Sequence, residues 1–242
     1  MPYTPKAVAP VDTVVKDAGL SIIVFGVGGS GKSWFGINTA DVAEPLYLLN
    51  FDRTVDHLLK RYPGKEYYYE KFVPDDKASA LQDLAKVMDV VSYAVRHGQG
   101  TFVIDNVAAL WALVCKAYLP EKDKVLPRDY GNANDWMREL CLTLEDSKLF
   151  SIFTAPASEL WVGAQSNSGL YVPDMWKHLE FHTVATLYLF VEGEITAVPP
   201  VPKENSLLGS YKALIVKSKL NPTTQGLIVD NPTLGELWPL IR

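Results

Sequence analysis

Eight consecutive residues, Gly26-Val27-Gly28-Gly29-Ser30-Gly31-Lys32-Ser33, fit the pattern G-x-x-x-x-G-K-S/T in full. The glycines let successive backbone N–H groups turn inward around phosphate oxygens, and the start of the helix that follows adds positive potential. Lys32 is placed to set its ammonium on the β- and γ-phosphates of a nucleotide, and Ser33 to offer its hydroxyl to Mg²⁺. A carboxylate, Asp105, ends the apolar run TFVID (101–105). Open α/β sheets bind ligands at such strand ends, so Asp105 is suited to hold Mg²⁺ directly or through water, and equally to cap the next helix. A third acid, Asp52, ends PLYLLNF (45–51). Hydrolysis needs a group that orients or deprotonates water; Asp52 fits that role or the cap of a helix starting near Val55.

These groups act together only if strands deliver them to one edge. The run LSIIVF (20–25) is short and β-branched, meets the glycine-rich loop at once, and is followed by the helical stretch WFGINTA: strand, loop, helix. Further strands are expected at 45–51, 66–72, 101–105, 148–155, 184–191, 212–218 and 226–230. Helices are expected at 55–62, at 106–119, at about 135–146 and at the C-terminus. A longer one, capped by Asp75 or Asp76, carries Leu81, Leu84, Ala85, Met88, Val91 and Val95 at helical spacing and closes at Gly98. Two long loops are expected, at 120–134 and 156–173. Strands alternating with helices imply a mainly parallel sheet covered on both faces, with a β-rich C-terminal extension. Pro2, Pro5 and Pro10 block regular helix in a lead-in of about 18 residues, leaving 19–242 as one domain.

The chain has 242 residues, 48% of them hydrophobic and 21% charged, which is globular composition. Its 23 Lys+Arg against 28 Asp+Glu give a net charge of −5, which excludes a globally basic nucleic-acid coat. Cys115 and Cys141 lie in apolar helical contexts without metal-ligand spacing, as expected of buried thiols in a reduced, cytoplasmic protein. No segment has the apolar length of a membrane span or a signal core.

The sequence resembles the RecA-type recombinase core, and more closely the compact core-only ATPases of that type in bacteriophages, some of which anneal single strands. Four stretches carry the resemblance: the loop 26–33, LYLLNFDRTVD (46–56), TFVIDNVAAL (101–110) and KALIVKSKLNP (212–222). It implies an α/β RecA-like P-loop NTPase fold, with ATP and Mg²⁺ as cofactors. It implies that Asp52 is the catalytic carboxylate, with Asp where RecA proper has Glu, and that Asp56 contacts the adenine amino group. Lys217 and Lys219 match a pair that reaches across a subunit interface to a neighbour's γ-phosphate, although residues two apart on a strand also describe an ordinary exposed face. The resemblance thus implies catalytic Lys32, Asp52, Lys217 and Lys219; a nucleotide set of Gly26, Gly28, Gly29, Ser30, Gly31, Lys32, Ser33, Trp34 and Asp56; and metal ligands Ser33 and Asp105. The partners it implies are other copies of the chain, in a ring or filament, and single-stranded DNA.

Two features depart from that family. Where a polar sensor, Gln or His, normally follows the strand LFSIFTA, this chain has Thr154-Ala155-Pro156. The stretches matching the family's DNA-binding loops are nearly neutral or acidic: residues 116–130 carry a net +1 and 156–180 a net −2. Phosphate binding draws on positive potential, so DNA contact would rest on stacking by Trp161, Tyr171 and Trp176. The expected function is therefore a Mg²⁺-dependent ATPase; the alternatives are a nucleotide-dependent assembly or scaffold protein with little turnover and a small-molecule kinase. A kinase needs an arginine-rich lid, whereas no two arginines here are closer than eight residues.

Overall fold

The computed structural model describes residues 20–39, 43–51, 55–59, 67–72, 76–122, 124–161, 167–191 and 211–242. Strands β1 (Leu20–Gly26), β2 (Leu46–Asn50) and β4 (Thr101–Asp105) are buried at every position, which is why they read as continuous apolar runs: both faces of a parallel sheet are covered. With β3 (Tyr67–Lys71), β5 (Phe150–Trp161), β7 (Ala185–Val191), β8 (Tyr211–Ser218) and β9 (Ile228–Asp230) they form one sheet in the order β3-β2-β4-β5-β1-β7-β8-β9. Pairing is parallel from β3 through β7, and β8 and β9 add antiparallel. The expected mixed α/β architecture with a C-terminal β extension is the observed one.

Helices cover both faces. On one, α3 (Lys77–His97), α4 (Val107–Tyr118) and α5 (Gly131–Glu145) pack Leu84, Val91, Leu110, Val114, Met137 and Leu140 against Tyr47, Phe102 and Phe153. On the other, α1 (Lys32–Asn38) and α6 (Leu234–Ile241) pack Phe35, Ile37, Leu237 and Ile241 against Ile22, Leu48 and Ile152. The short α2 (Asp56–Leu59) is led in by buried Val55. Among the described residues no helix is long and apolar enough to cross a membrane. Burial pushes the Cys141 thiol up to about 12 and the half-buried Cys115 thiol up to about 11.

Helix α3 begins at a capping box: the Asp76 carboxylate accepts from the Ser79 N–H at 2.7 Å, and the Asp76 N–H donates to Ser79 Oγ at 3.0 Å. These bonds, the backbone one foremost, hold the Asp76 carboxyl below its ordinary 3.8. A depressed folded-state pKa adds stability above the unfolded value and loses it as pH falls through the folded one. Asp76→Ala is therefore expected to lower the thermal midpoint at neutral pH, and the gap from wild type should close as pH drops below 3.8. A gap that persists unchanged at pH 2 would assign the effect to something other than the carboxylate.

Both expected long loops are shorter. Helix α5 starts at Gly131 rather than Asp135; Gly and Asn are poor helix formers, but the Trp176 Nε1–H donates to Asn134 Oδ1 at 2.8 Å and Ala133 is buried. Strand β5 runs on past Pro156 to Trp161 and turns back as β6 (Asn167–Pro173), pairing Ala157 with Pro173 and Glu159 with Tyr171. Pro156 is tolerated there because it lies opposite Gly26, the last residue of β1.

Candidate nucleotide site

The glycine-rich loop leaves the C-terminal end of β1 and turns at Val27, whose carbonyl accepts from the Ser30 N–H at 3.2 Å. Gly31 has φ 89°, a left-handed conformation that glycine adopts without strain. From there α1 starts with Phe35 N–H donating to the Gly31 carbonyl at 2.8 Å. The Lys32 ammonium folds back over the loop and donates to the carbonyls of Gly26 and Val27, both at 2.9 Å. A cation is thus held at the centre of the turn. Ser30 is buried, and its hydroxyl has no hydrogen-bond partner among the described residues.

Asp105 lies two strands from β1, with β5 between them. Register brings Asn50 beside Asp105 on β2 and β4, and Val24 beside Thr154 on β1 and β5. The Thr154 hydroxyl donates to Asp105 Oδ1. Asn50, Asp105 and Thr154 are all essentially buried, and the Asn50 amide donates to the Tyr69 hydroxyl at 2.8 Å. Helix α1 crosses this row closely: a Cβ on Gly36 would sit 3.0 Å from Val103 Cγ1 and 4.0 Å from Thr154 Cγ2. The alternative role of Asp105 as a helix cap falls to its neighbour, since Asn106 Oδ1 accepts from the Ala109 N–H and caps α4.

The donor set fits Mg²⁺. A buried carboxylate hydrogen-bonded to the Thr154 hydroxyl, and the Ser33 hydroxyl on the first turn of α1, are hard oxygen ligands. Among the described residues no trio of His, Cys, Asp or Glu forms a protein-only cage. Mg²⁺ at nucleotide sites uses one or two carboxylates and completes its shell with phosphates and water.

The remaining sequence-derived residues are placed as follows. Asp52 lies outside the described residues, and Asp56 opens α2 with its side chain outside the described set. Trp34 is exposed on α1. Lys217 lies beside Thr186, level with Ile23, and the Lys219 N–H donates to the Val184 carbonyl near the start of β1. At about 3.3 Å per residue the pair sits roughly 10 Å or more below the loop. Its ammonium groups meet Glu180 at 3.5 Å and the Phe181 carbonyl at 2.9 Å. Burial, then the neighbouring Lys217 charge, lowers the Lys219 pKa. Of the three candidate stacking aromatics, Trp176 is buried against α5 and Tyr171 stacks on Tyr188 with centroids 6.0 Å apart. The Trp161 side chain is outside the described set.

A matching solved structure comes from a structural and biochemical study of a prototypical ATPase from the type III secretion system of pathogenic bacteria. The match has a TM-score of 0.50 at 16% sequence identity, covering 72% of this chain and 52% of that one. The likeness is one of fold: a central, mostly parallel sheet flanked by helices. The chain spans about half the length of the ATPase it matches, and the likeness concerns architecture, on which many activities are hosted. No protein-family model matches the chain, and no curated protein does.

Sequence reasoning did not find the Thr154–Asp105 bond, which depends on the β4–β5 register, or Tyr211, Asn38 and Asn231, which line a groove beside the loop. Tyr211 sits directly against Gly31. Only its place at the head of the strand KALIVKS hinted at it.

Proposed function

We propose that this chain is a Mg²⁺-dependent ATPase that assembles with copies of itself into a ring or filament and acts on single-stranded DNA in recombination, annealing or replication. The observation that carries the ATPase reading is the Lys32 ammonium drawn into its own loop at the end of β1, with buried Asp105 two strands away. The loop carbonyls that hold Lys32 are neutral, so a phosphate forms the stronger, charge-assisted bond and takes the ammonium over. The N–H groups of the loop bind the remaining oxygens. Thr154, by donating to one oxygen of Asp105, holds the carboxylate oriented. Mg²⁺, when bound, neutralises charge developing on the β- and γ-phosphate oxygens. Asp52 is assigned the attacking water on the strength of the sequence resemblance.

Assembly is supported by where Lys217 and Lys219 lie. Within one chain Lys217 stands level with Ile23 in mid-β1 and Lys219 near the start of that strand, with their ammonium groups on Glu180 and the Phe181 carbonyl, so this reading gives their phosphate contact to a neighbour's site. Such a cation supplied in trans would stabilise the charge of the transition state. DNA is supported by the family resemblance, against the weakly charged loops.

Phosphate release from ATP, measured over a range of protein concentrations with and without single-stranded DNA and with the metal chelated, tests each part. Turnover is expected to vanish on chelation, to rise per chain with protein concentration, and to increase with DNA. Turnover indifferent to DNA removes the DNA role. Turnover per chain independent of concentration removes the trans lysines, and its absence at every Mg²⁺ concentration removes the ATPase.

A further inference from the structure

A cavity of about 360 Å³ lies between β6 and the single turn Leu179–His182 on one side and β1, β7 and β8 on the other. It has the size of a small-ligand pocket. It stands on the opposite face of the sheet from α1, since Phe25, which lines it, packs with the core under α3, α4 and α5. Phe25, Tyr171, Pro173 and Val216 give it an apolar chamber, and in its wall the Lys217 ammonium and the Glu180 carboxylate stand 3.5 Å apart.

A β-bulge brings the lysine there. Thr186 pairs with Lys217 and Leu187 with Ile215, so Val216 is an extra residue in β8. Ile215 is buried in the core on the α1 side, and regular alternation would point Lys217 the same way. The extra residue turns Lys217 to the cavity instead. Thr186, beside it, also lines the cavity; it is 3% exposed, and its hydroxyl has no hydrogen-bond partner among the described residues. Two residues on, along the same face of β7, the Tyr188 hydroxyl is likewise buried without one. An unpaired buried hydroxyl is costly and calls for a partner. The ion pair itself contributes little to the fold, because both side chains are partly exposed and the contact is long, so it opens readily to a ligand. The two charges cancel. An occupant of matching charge therefore carries one of each sign side by side, together with an apolar body for the chamber.

We infer that this cavity binds a free α-amino acid with an apolar side chain. Its carboxylate takes the Lys217 ammonium and the Thr186 hydroxyl, its ammonium takes the Glu180 carboxylate, and its side chain fills the chamber. The test uses the full chain without nucleotide, so its outcome is independent of the phosphate-loop reading. Calorimetry measures binding of L-leucine and L-phenylalanine, of their amides and N-acetyl forms, and of glycine, with circular dichroism as the check on folding. Wild type is expected to bind leucine or phenylalanine saturably, and to bind the amide, the N-acetyl form and glycine at least about tenfold more weakly, the scale of one hydrogen bond to a charged group. Thr186→Val should lose about tenfold in affinity for the free amino acid. Glu180→Gln should erase the preference over the N-acetyl form while keeping that over the amide. Val216→Trp, at a position exposed enough to accept the ring, should fold normally and bind none of them. No saturable binding of either amino acid to wild type overturns the inference. So does an amide, an N-acetyl form or glycine bound as tightly as the free apolar amino acid, or affinity unchanged in folded Thr186→Val or Val216→Trp.

Discussion

Lys32→Ala is expected to cut ATP turnover by about 10³-fold, the upper range for deleting one preorganised donor to developing charge. The lysine side chain crosses the loop, donating to the Gly26 and Val27 carbonyls from a single ammonium. Alanine removes both the cation proposed to meet the γ-phosphate and the two side-chain bonds across the turn. The fold should survive, because the backbone bond that closes the turn, from the Ser30 N–H to the Val27 carbonyl, does not involve the lysine. Nucleotide affinity should fall along with turnover, since the proposed ammonium–phosphate contact is made in the ground state as well as in the reaction. Steady-state phosphate release and a far-ultraviolet spectrum suffice to check this; a folded variant within fivefold of wild type would falsify the assignment of the loop.

The second large effect is a loss of activity without a loss of stability. Asp105→Asn is expected to reduce Mg²⁺-dependent turnover by about 10²-fold or more, yet leave the thermal midpoint of the nucleotide-free protein equal or higher. Asparagine matches the shape and still accepts the Thr154 hydroxyl hydrogen bond at the same oxygen. What disappears is a negative charge at a position 1% exposed, whose burial costs several kcal/mol before its partners compensate. A carboxylate kept there against that cost is placed for a ligand rather than for the fold. Melting curves with and without Mg²⁺–ADP give a further readout: the shift produced by the ligand should shrink in the variant. A midpoint that drops by many degrees instead would make Asp105 a structural residue.

What could be read from the sequence depended on how local each signal was. The loop 26–33 was legible because its glycines and lysine are contiguous, and β1, β2 and β4 because burial on both faces leaves unbroken apolar runs. Helix α3 announced both ends, with Asp76 in its box and Gly98 in the left-handed region at φ 78°. The β5–β6 hairpin did not, since Pro156 and the Gly, Ser and Asn residues near its turn carry loop composition while the pairing partners of Ala157 and Glu159 lie a dozen or more residues on. The groove beside the loop was invisible for a similar reason. Asn38 and Asn231 come from opposite ends of the chain and meet only because β8 and β9 extend the sheet past β7. Asp105 was found, but its competing role as a cap could be dismissed only when Asn106 was seen to hold the Ala109 N–H.

Strand β5 belongs to two pairings at once: through Pro156 it is a middle strand of the parallel sheet, and from Ala157 it is one arm of the hairpin with β6. The residue that touches Asp105 is therefore joined to the hairpin by uninterrupted extended backbone. From Thr154 to Trp161 that is seven residues, or roughly 23 Å at the rise of a strand. The Asp174 N–H bond to the Pro156 carbonyl at 2.8 Å and the stack of Tyr171 on Tyr188 brace its base, and the register irregularity lies further out, between Glu159 and Trp161. The outer arm of the hairpin and the residue bonded to the carboxylate are thus two parts of one strand.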